Sequence, residues 1–347
     1  MAIRWVQHSF RTTLHALRTR LIPQIARPLG YLRDNRQTVT EWPQGGTVLG
    51  ARVVIFCHFD RGGIVREHVL QYIRSLNAAG FSIALVSNSG RLKPAALEEI
   101  RSLCAAVLVR RNVGYDFGAW RDALERLDLP RTNTEILLLV NDSVYGPLQS
   151  IESTLTQIDF SLADVWGLTE SWQSRYHLQS FFLAIAPRVM GSPAWRQFWM
   201  NVRPVPSKLW VIDRYEVGLS QVLLQAGFRC RAVWPYSHLI TQVDPSLLVK
   251  ERDKQELIST DQLIDFRRAH ANRIRAAAAA RIPLNPTSDL WRQLLKAGFP
   301  FLKRELLRDN PSGVLDISDW RLVLDELRLD ASAIEADLQR ALRNRSP

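Results

Sequence analysis

Between residues 51 and 145 short apolar runs alternate with amphipathic stretches. Ala51-Arg-Val-Val-Ile-Phe-Cys57, Phe81-Ser-Ile-Ala-Leu-Val86, Ala105–Arg110 and Ile136–Val140 are compact runs rich in aliphatic and β-branched side chains. Runs of that length without polar alternation predict strands buried on both faces. Between the first two, Ile64, Val65, Val69, Tyr72, Ile73 and Leu76 recur at three- and four-residue steps. They predict a helix over 64–79, with Gly80 at its C-cap. Further helices are predicted near 94–103 and 119–127. Strand and helix alternating in this way imply an α/β fold, a mostly parallel sheet flanked by helices. In such sheets ligands bind beyond the carboxyl ends of the strands. Each run here stops at a polar or glycine-bearing cluster: His58-Phe-Asp-Arg-Gly-Gly63, Ser87-Asn-Ser-Gly90, Arg111 onward, and Asn141-Asp-Ser143. Topology alone places a site at those ends.

Residues 151–245 are less regular and rich in aromatics, with the clearest helix running from near Asp213 to Gln225 before Gly227. Beyond residue 246 the pattern turns mostly helical, over 259–280, 288–296, 302–307 and 317–327. The chain therefore divides into a basic amphipathic segment and linker at 1–47, an α/β domain at 48–245 and a mostly helical region at 246–347.

Charge changes the picture at one end of the chain. The 347 residues carry 45 basic and 34 acidic side chains, a net charge of +11. Arg4, Arg11, Arg18, Arg20, Arg27, Arg33 and Arg36 face Asp34 alone within residues 1–40, so over half of the excess lies there. Ile3, Val6, Phe10, Leu14, Leu17 and Leu21 share one helical face beside those arginines. Such a helix suits either the surface of an anionic membrane or docking on its own protein. Elsewhere acidic and basic residues are interspersed and no zinc-finger or RNP signature occurs, which argues against nucleic acid as a partner. No apolar run is long enough to span a bilayer. Cys57, Cys104 and Cys230 lie far apart, without the spacing of a disulfide framework or zinc site, and point to a reducing compartment.

Three stretches carry candidate chemistry. Asn112-Val-Gly-Tyr-Asp-Phe-Gly-Ala-Trp120 sets two glycines and a carboxylate between a strand and a helix. It reads either as a tight, aromatic-packed turn or as a backbone cradle with Asp116 at its centre, where a helix N-terminus can face an anion. Asn141-Asp142-Ser143 ends the fourth strand, where a carboxylate caps a turn or coordinates Mg²⁺ or Mn²⁺. Asp213-Arg-Tyr-Glu216 opens the later helix, where carboxylates cap the dipole or act as a general base. His177-Leu-Gln-Ser-Phe-Phe182 mixes polar and aromatic side chains in the manner of sugar-binding surfaces. His58, His68 and His238 have no metal-ligand spacing and read as ordinary polar positions.

Taken together, HFD at 58–60, RNVGYDFGAW at 111–120, NDSVYGP at 141–147, WGLTES at 166–171, HLQSFF at 177–182 and YEVGLS at 215–220 resemble the rhamnan synthesis protein F family. NPTSDLWRQLLKAGFPFLKRELLRDNP at 285–311 is similar to the ending of that family, so the resemblance runs over roughly 50–325. It implies a GT-A-like fold and an inverting glycosyltransferase of bacterial cell-surface polysaccharide assembly, with dTDP-L-rhamnose as the favoured donor and a lipid-linked glycan as acceptor. It implies a cytoplasmic protein, held peripherally on the inner face of the inner membrane if residues 1–40 meet lipid. By the same resemblance Asp60 and Asn88 fall where the base and ribose of the nucleotide lie. Arg111, Asn112, Gly114, Tyr115 and Asp116 lie over the nucleotide or its sugar, and Trp172, His177 and Gln179 serve the acceptor. Glu216, with Asp213 beside it, takes the place of the catalytic base. Asp142, with Asn141 and Ser143, takes that of the metal-binding DxD motif. Here the sequence departs from the pattern, because a DxD has two carboxylates and Asn141-Asp142-Ser143 has one. Arg61 or Arg111 is then an alternative partner for the diphosphate. The alternative for the whole chain is a non-catalytic glycan-binding or assembly protein that retains the fold.

Overall fold

The structure, a computed structural model, describes residues 38–43, 46–242 and 262–343. The basic amphipathic stretch therefore falls outside the described residues up to position 37. The strands are β1 (Thr38–Trp42), β2 (Arg52–His58), β3 (Ser82–Ser87), β4 (Ala106–Arg110), β5 (Ile136–Asn141), β6 (Val144–Tyr145), β7 (Val165–Ser171), β8 (His177–Leu178), β9 (Phe182–Ile185), β10 (Cys230–Trp234) and β11 (Leu302–Lys303). The main sheet has the order β1-β4-β3-β2-β5-β9-β7-β10. β4, β3, β2 and β5 are parallel neighbours, as are β7 and β10, while β1 and β9 pair antiparallel. A mixed α/β fold with a mostly parallel central sheet is thus realised as expected.

The unbroken apolar runs are explained by two cores. Along β2, Val54 and Phe56 enter one core while Val53, Ile55 and Cys57 enter the other. Period-2 alternation sends successive side chains to opposite faces, and both faces are covered. The helix Glu67–Ala78 lays Val69, Tyr72, Ile73 and Leu76 on the first face. The helix Tyr115–Arg126 lays Phe117, Ala119, Trp120 and Ala123 on the second.

Three expectations change. Within the segment assigned to 1–47, Thr38–Trp42 belongs to the domain, since β1 pairs with β4 and closes that sheet edge. The region after 246 is not separate either. Leu302–Lys303, expected as the start of a helix, is strand β11 and pairs antiparallel with β6. Ile274, Leu284, Leu290, Leu294, Phe299 and Phe301 then join the first core. Trp291, Leu295, Leu302, Trp320, Val323 and Leu324 gather around Tyr145 in a third. Finally, the later helix begins at Lys208 rather than at Asp213. Ser207 caps it, its hydroxyl accepting from the Trp210 amide at 3.4 Å, and Ile212–Glu216 forms a π-helical turn before the α-helix resumes over Val217–Gln225. Among the described residues no helix is long and apolar enough to cross a membrane.

Candidate functional site

The site is assembled where the C-terminal segment crosses the end of β5. The β6–β11 ladder is extended by the Arg304 amide donating to the Ser143 carbonyl at 3.0 Å and the Leu148 amide donating to Pro300 at 2.7 Å. Gly146 permits this approach: its φ is +129°, and an added Cβ would run into the Pro300 carbonyl. Lys303 and Arg304 are thereby delivered to the strand end that carries Asn141, Asp142 and Ser143.

Beside this seam lies a cleft of about 590 Å³, the size range of small-molecule sites. Its lining draws Tyr115, Asp116, Asn141 and Ser143 from the sheet ends and Leu209, Ile212, Glu216 and Val217 from the π-helical turn and its flanks. His177, Gln179, Ser180, Asn285, Ser288, Lys303, Glu305 and Ser312 line it as well.

The helix over Tyr115–Arg126 starts earlier than its sequence pattern indicates. Gly114 before it has φ +85°, and a Cβ there would meet the Pro204 backbone at 2.9 Å. Tyr115 itself is left-handed, with φ +52°, a conformation that non-glycine residues adopt at some energetic cost. The turn points Asp116 at the sheet, where Cys57 Sγ donates to Oδ1 at 3.2 Å and Asn141 Nδ2 donates to Oδ2 at 2.7 Å. Burial pushes the Asp116 carboxyl up to about 6 and the neighbouring Asp142 charge adds to this, against the opposing pull of Cys57, Lys303 and Asn141.

Glu216 stands on the π-helical turn, a local geometry that recurs at functional sites. Its Oε1 accepts from the Ser180 amide at 2.8 Å and from the Ser180 hydroxyl at 2.9 Å. Two donors on one oxygen fix the carboxylate while the group lines the cleft. Lys303 donates to Ser143 Oγ at 3.2 Å and its ammonium lies 5.5 Å from the Phe181 ring centroid. Burial lowers its pKa, opposed by the charges of Glu216, Glu305 and Asp116.

Of the residues singled out from sequence, Tyr115, Asp116, Asn141, Ser143, His177, Gln179 and Glu216 share this cleft. The others do not line it. Asp60 accepts from the Gly62 and Ile64 amides and pairs with Arg66 at 3.0 Å. Burial would raise its pKa, but those amides and Arg66 outweigh burial and hold it below the usual value. Asn88 is buried, donating to the Tyr115 carbonyl and accepting from Arg110 at 2.6 Å, so it braces the turn rather than facing ligand. Arg111 and Asn112 are exposed beside the buried Gly114. Trp172 is 50% exposed and packs edge-on against Tyr176. Asp213 is outside the lining and pairs with Arg214 at 3.8 Å. Arg61 is exposed and outside the lining.

The expected metal position needs correction on chemical grounds. Asp142 pairs with Arg304 at 3.2 Å, and its Oδ2 also accepts from the Phe59 amide. Asn141 Oδ1 accepts from the Ser143 amide and hydroxyl while its amide nitrogen donates to Asp116. Ser143 Oγ faces an ammonium. Mg²⁺ and Mn²⁺ require several convergent oxygen ligands, carboxylates foremost. Among the described residues no group of three or more His, Cys, Asp or Glu side chains could hold a metal. Asn141, Asp142 and Ser143 therefore do not fit a resident cation.

Sequence reading passed over Ser180, which lies inside the HLQSFF motif, and Lys303, which lies inside the C-terminal one. Their roles depend on partners 36 and 160 residues away.

The family model of rhamnan synthesis protein F matches residues 83–248, which span β3 to β10 and include Asp116, Asn141, Ser180 and Glu216. The resemblance read from the motifs is thus borne out. The chain is also 29% identical over 269 residues to virulence protein VirA of Vibrio anguillarum, covering 76% of this chain and 81% of that one. An uncharacterised protein, y4gN of Sinorhizobium fredii, is 26% identical over 195 residues, 55% of this chain and 50% of its own. Solved structures with some likeness include a candidate nucleotide-diphospho-sugar transferase from Desulfovibrio desulfuricans (TM-score 0.35, 10% identity, 66% of this chain and 98% of that one). Another is a mannosyltransferase from Pyrobaculum calidifontis in complex with GDP-Man and Mn²⁺ (TM-score 0.33, 11% identity, 97% and 91%).

Proposed function

We propose that the cleft transfers a sugar from a nucleoside diphosphate donor to a hydroxyl of a glycan acceptor, with inversion at the anomeric carbon. The observation that carries this is Glu216, a carboxylate fixed by two Ser180 donors and lining the same cleft as Asp116, Asn141 and Ser143 from the ends of the parallel strands. Its part is to take the proton of the acceptor hydroxyl as that oxygen attacks C1 from the face opposite the leaving group. A new C1–O bond forms, the bond from C1 to the diphosphate oxygen breaks, and the electron pair leaves with the diphosphate. A positioned base in this role contributes roughly 10²- to 10⁴-fold to the rate.

Tyr115, His177, Gln179, Ser288 and Ser312 give the cleft the mixture of aromatic face, amide and hydroxyl that hydrogen-bonds sugar rings. Gln179 is pre-positioned for this, accepting from Thr169 at 2.7 Å and donating to Asn285 at 3.2 Å. The family match favours dTDP-L-rhamnose as donor and a lipid-linked glycan of a cell-surface polysaccharide as acceptor. A lipid-linked acceptor in turn favours work at the cytoplasmic face of the inner membrane, with residues 1–40 as the contact.

Incubation of the full chain with dTDP-L-rhamnose and glycan acceptors, wild type against Glu216→Gln, tests the reading. Transfer by wild type with loss in the variant supports it, while equal transfer by the two removes Glu216 from the role. Deleting residues 1–40 is expected to release the protein from membrane fractions, and unchanged fractionation would return that segment to docking.

A further inference from the structure

We propose that Lys303 supplies the positive charge for the departing nucleoside diphosphate, so that transfer in this cleft proceeds without a bound divalent cation. The inference rests on the glycosyl-transfer reading above and concerns how its leaving group is stabilised.

The placement of Lys303 is dictated by the fold. Its backbone pairs with Val144 in the β6–β11 ladder, immediately after the strand-end triplet Asn141-Asp142-Ser143. From there its ammonium reaches Ser143 Oγ at 3.2 Å, at the end of the central strand where a cation would meet the diphosphate. Phe181 covers the side chain, favouring a cation over its face. The carboxylates Glu216, Glu305 and Asp116 favour the charged form of Lys303, although burial, the larger effect, and Lys208 oppose them and its pKa is lowered on balance. A dication entering the same space would meet Lys303 as a like charge. The carboxylate that would compensate, Asp142, is already paired with Arg304.

A second ammonium lines the cleft at its mouth. Lys208 pairs with Glu305 at 3.3 Å, both side chains largely exposed, and so can exchange that partner for phosphate. As C1–O cleavage places a further negative charge on the diphosphate, Lys303 meets that charge as a point-charge phosphate binder. The acceptor proton goes to Glu216, so each charge that develops has a protein counterpart.

Calorimetry on the full chain with dTDP, UDP and GDP, first in EDTA and then with Mn²⁺ or Mg²⁺, tests the inference. At least one diphosphate is expected to bind in EDTA, with affinity unchanged by either metal. Lys303→Met is expected to weaken that diphosphate roughly 10- to 100-fold, the span of a lost charge-assisted contact, and to weaken the matching monophosphate much less. Lys303→Arg should restore much of the loss. Binding that requires Mn²⁺, or Lys303→Met binding diphosphate as wild type does, overturns the inference and leaves glycosyl transfer standing. If the Met variant does not fold, the EDTA and metal arms on wild type decide the matter alone. If none of the three diphosphates binds wild type with or without metal, both readings fall together.

Discussion

At the end of β5, Asp142 is enclosed by donors: the Phe59 amide reaches it at 3.3 Å and the Arg304 guanidinium at 3.2 Å. Arg304 extends the knot to Asp337, which also takes a 2.7 Å bond from the Tyr145 hydroxyl and pairs with Arg66. Arg66 in turn holds Asp60. In the cleft, Glu216 is held through one oxygen by a neutral serine. Two carboxylates that look alike as candidate chemistry thus have different surroundings. The first pairs with the half-buried Arg304, which links it through Asp337 to the C-terminal helix Ser332–Arg343, while the second is held by serine donors and lines the cleft. Asp142 faces a guanidinium, and Glu216 faces the amide and hydroxyl of one serine.

Paired substitutions test that contrast. The largest effect is expected for Glu216→Gln, which keeps an oxygen for Ser180 but cannot accept a proton; transfer should fall roughly 10²- to 10⁴-fold with the melting temperature little changed. Asp142→Asn is expected to do the reverse. It removes one of the two carboxylates paired with Arg304 and should cost about 1–3 kcal/mol of stability, read by denaturant unfolding, while transfer stays measurable. Loss of activity without loss of stability in Asp142→Asn would contradict the division drawn here. Ser180→Ala sharpens the other side. It removes the hydroxyl and keeps the backbone donor, so a loss of roughly tenfold in kcat with little change in donor KM is expected.

The smallest effect concerns Asp116. Its carboxyl, pushed up to about 6 from 3.8 by burial, is favoured by folding in its protonated form. That contribution is complete below pH 3.8 and is lost as pH rises through about 6. Relative to Asp116→Asn, which does not titrate, wild type should therefore lose stability across that window as pH increases. Melting curves of the two proteins that run parallel over the same range would show that the neighbouring dipoles already compensate burial.

The sheet was legible because its cause is local. Strands buried on both faces must be apolar at every position, and β2, β3, β4 and β5 match the four apolar runs to within a residue or two. The helix Glu67–Ala78 starts three residues later than its apolar pattern indicates and ends as expected, with Gly80 after it at φ +81°. Where the signal is shared between levels the reading slipped. Asp213 looks like a first-turn carboxylate, yet Ser207 offers an earlier cap, and Asp213 falls within the π-helical turn and outside the cleft lining. Leu302–Lys303 lies in an amphipathic stretch that periodicity reads as helix, and its pairing with Val144–Tyr145 makes it strand. Pairing across more than 150 residues leaves no mark on local spacing.

By itself, then, the sequence determined the layered α/β architecture and pointed to the strand ends, with Asp116 and Glu216 as candidate carboxylates that the fold brings to one cleft. Hydrophobic periodicity and turn-forming residues act over a few positions and are written in order along the chain. The tertiary structure alone decided which charges meet. It set Arg304 against Asp142, Ser180 against Glu216 and Lys303 against Ser143. Electrostatic partnership depends on distance in space, and a side chain's charge carries no record of the partner that folding will bring to it.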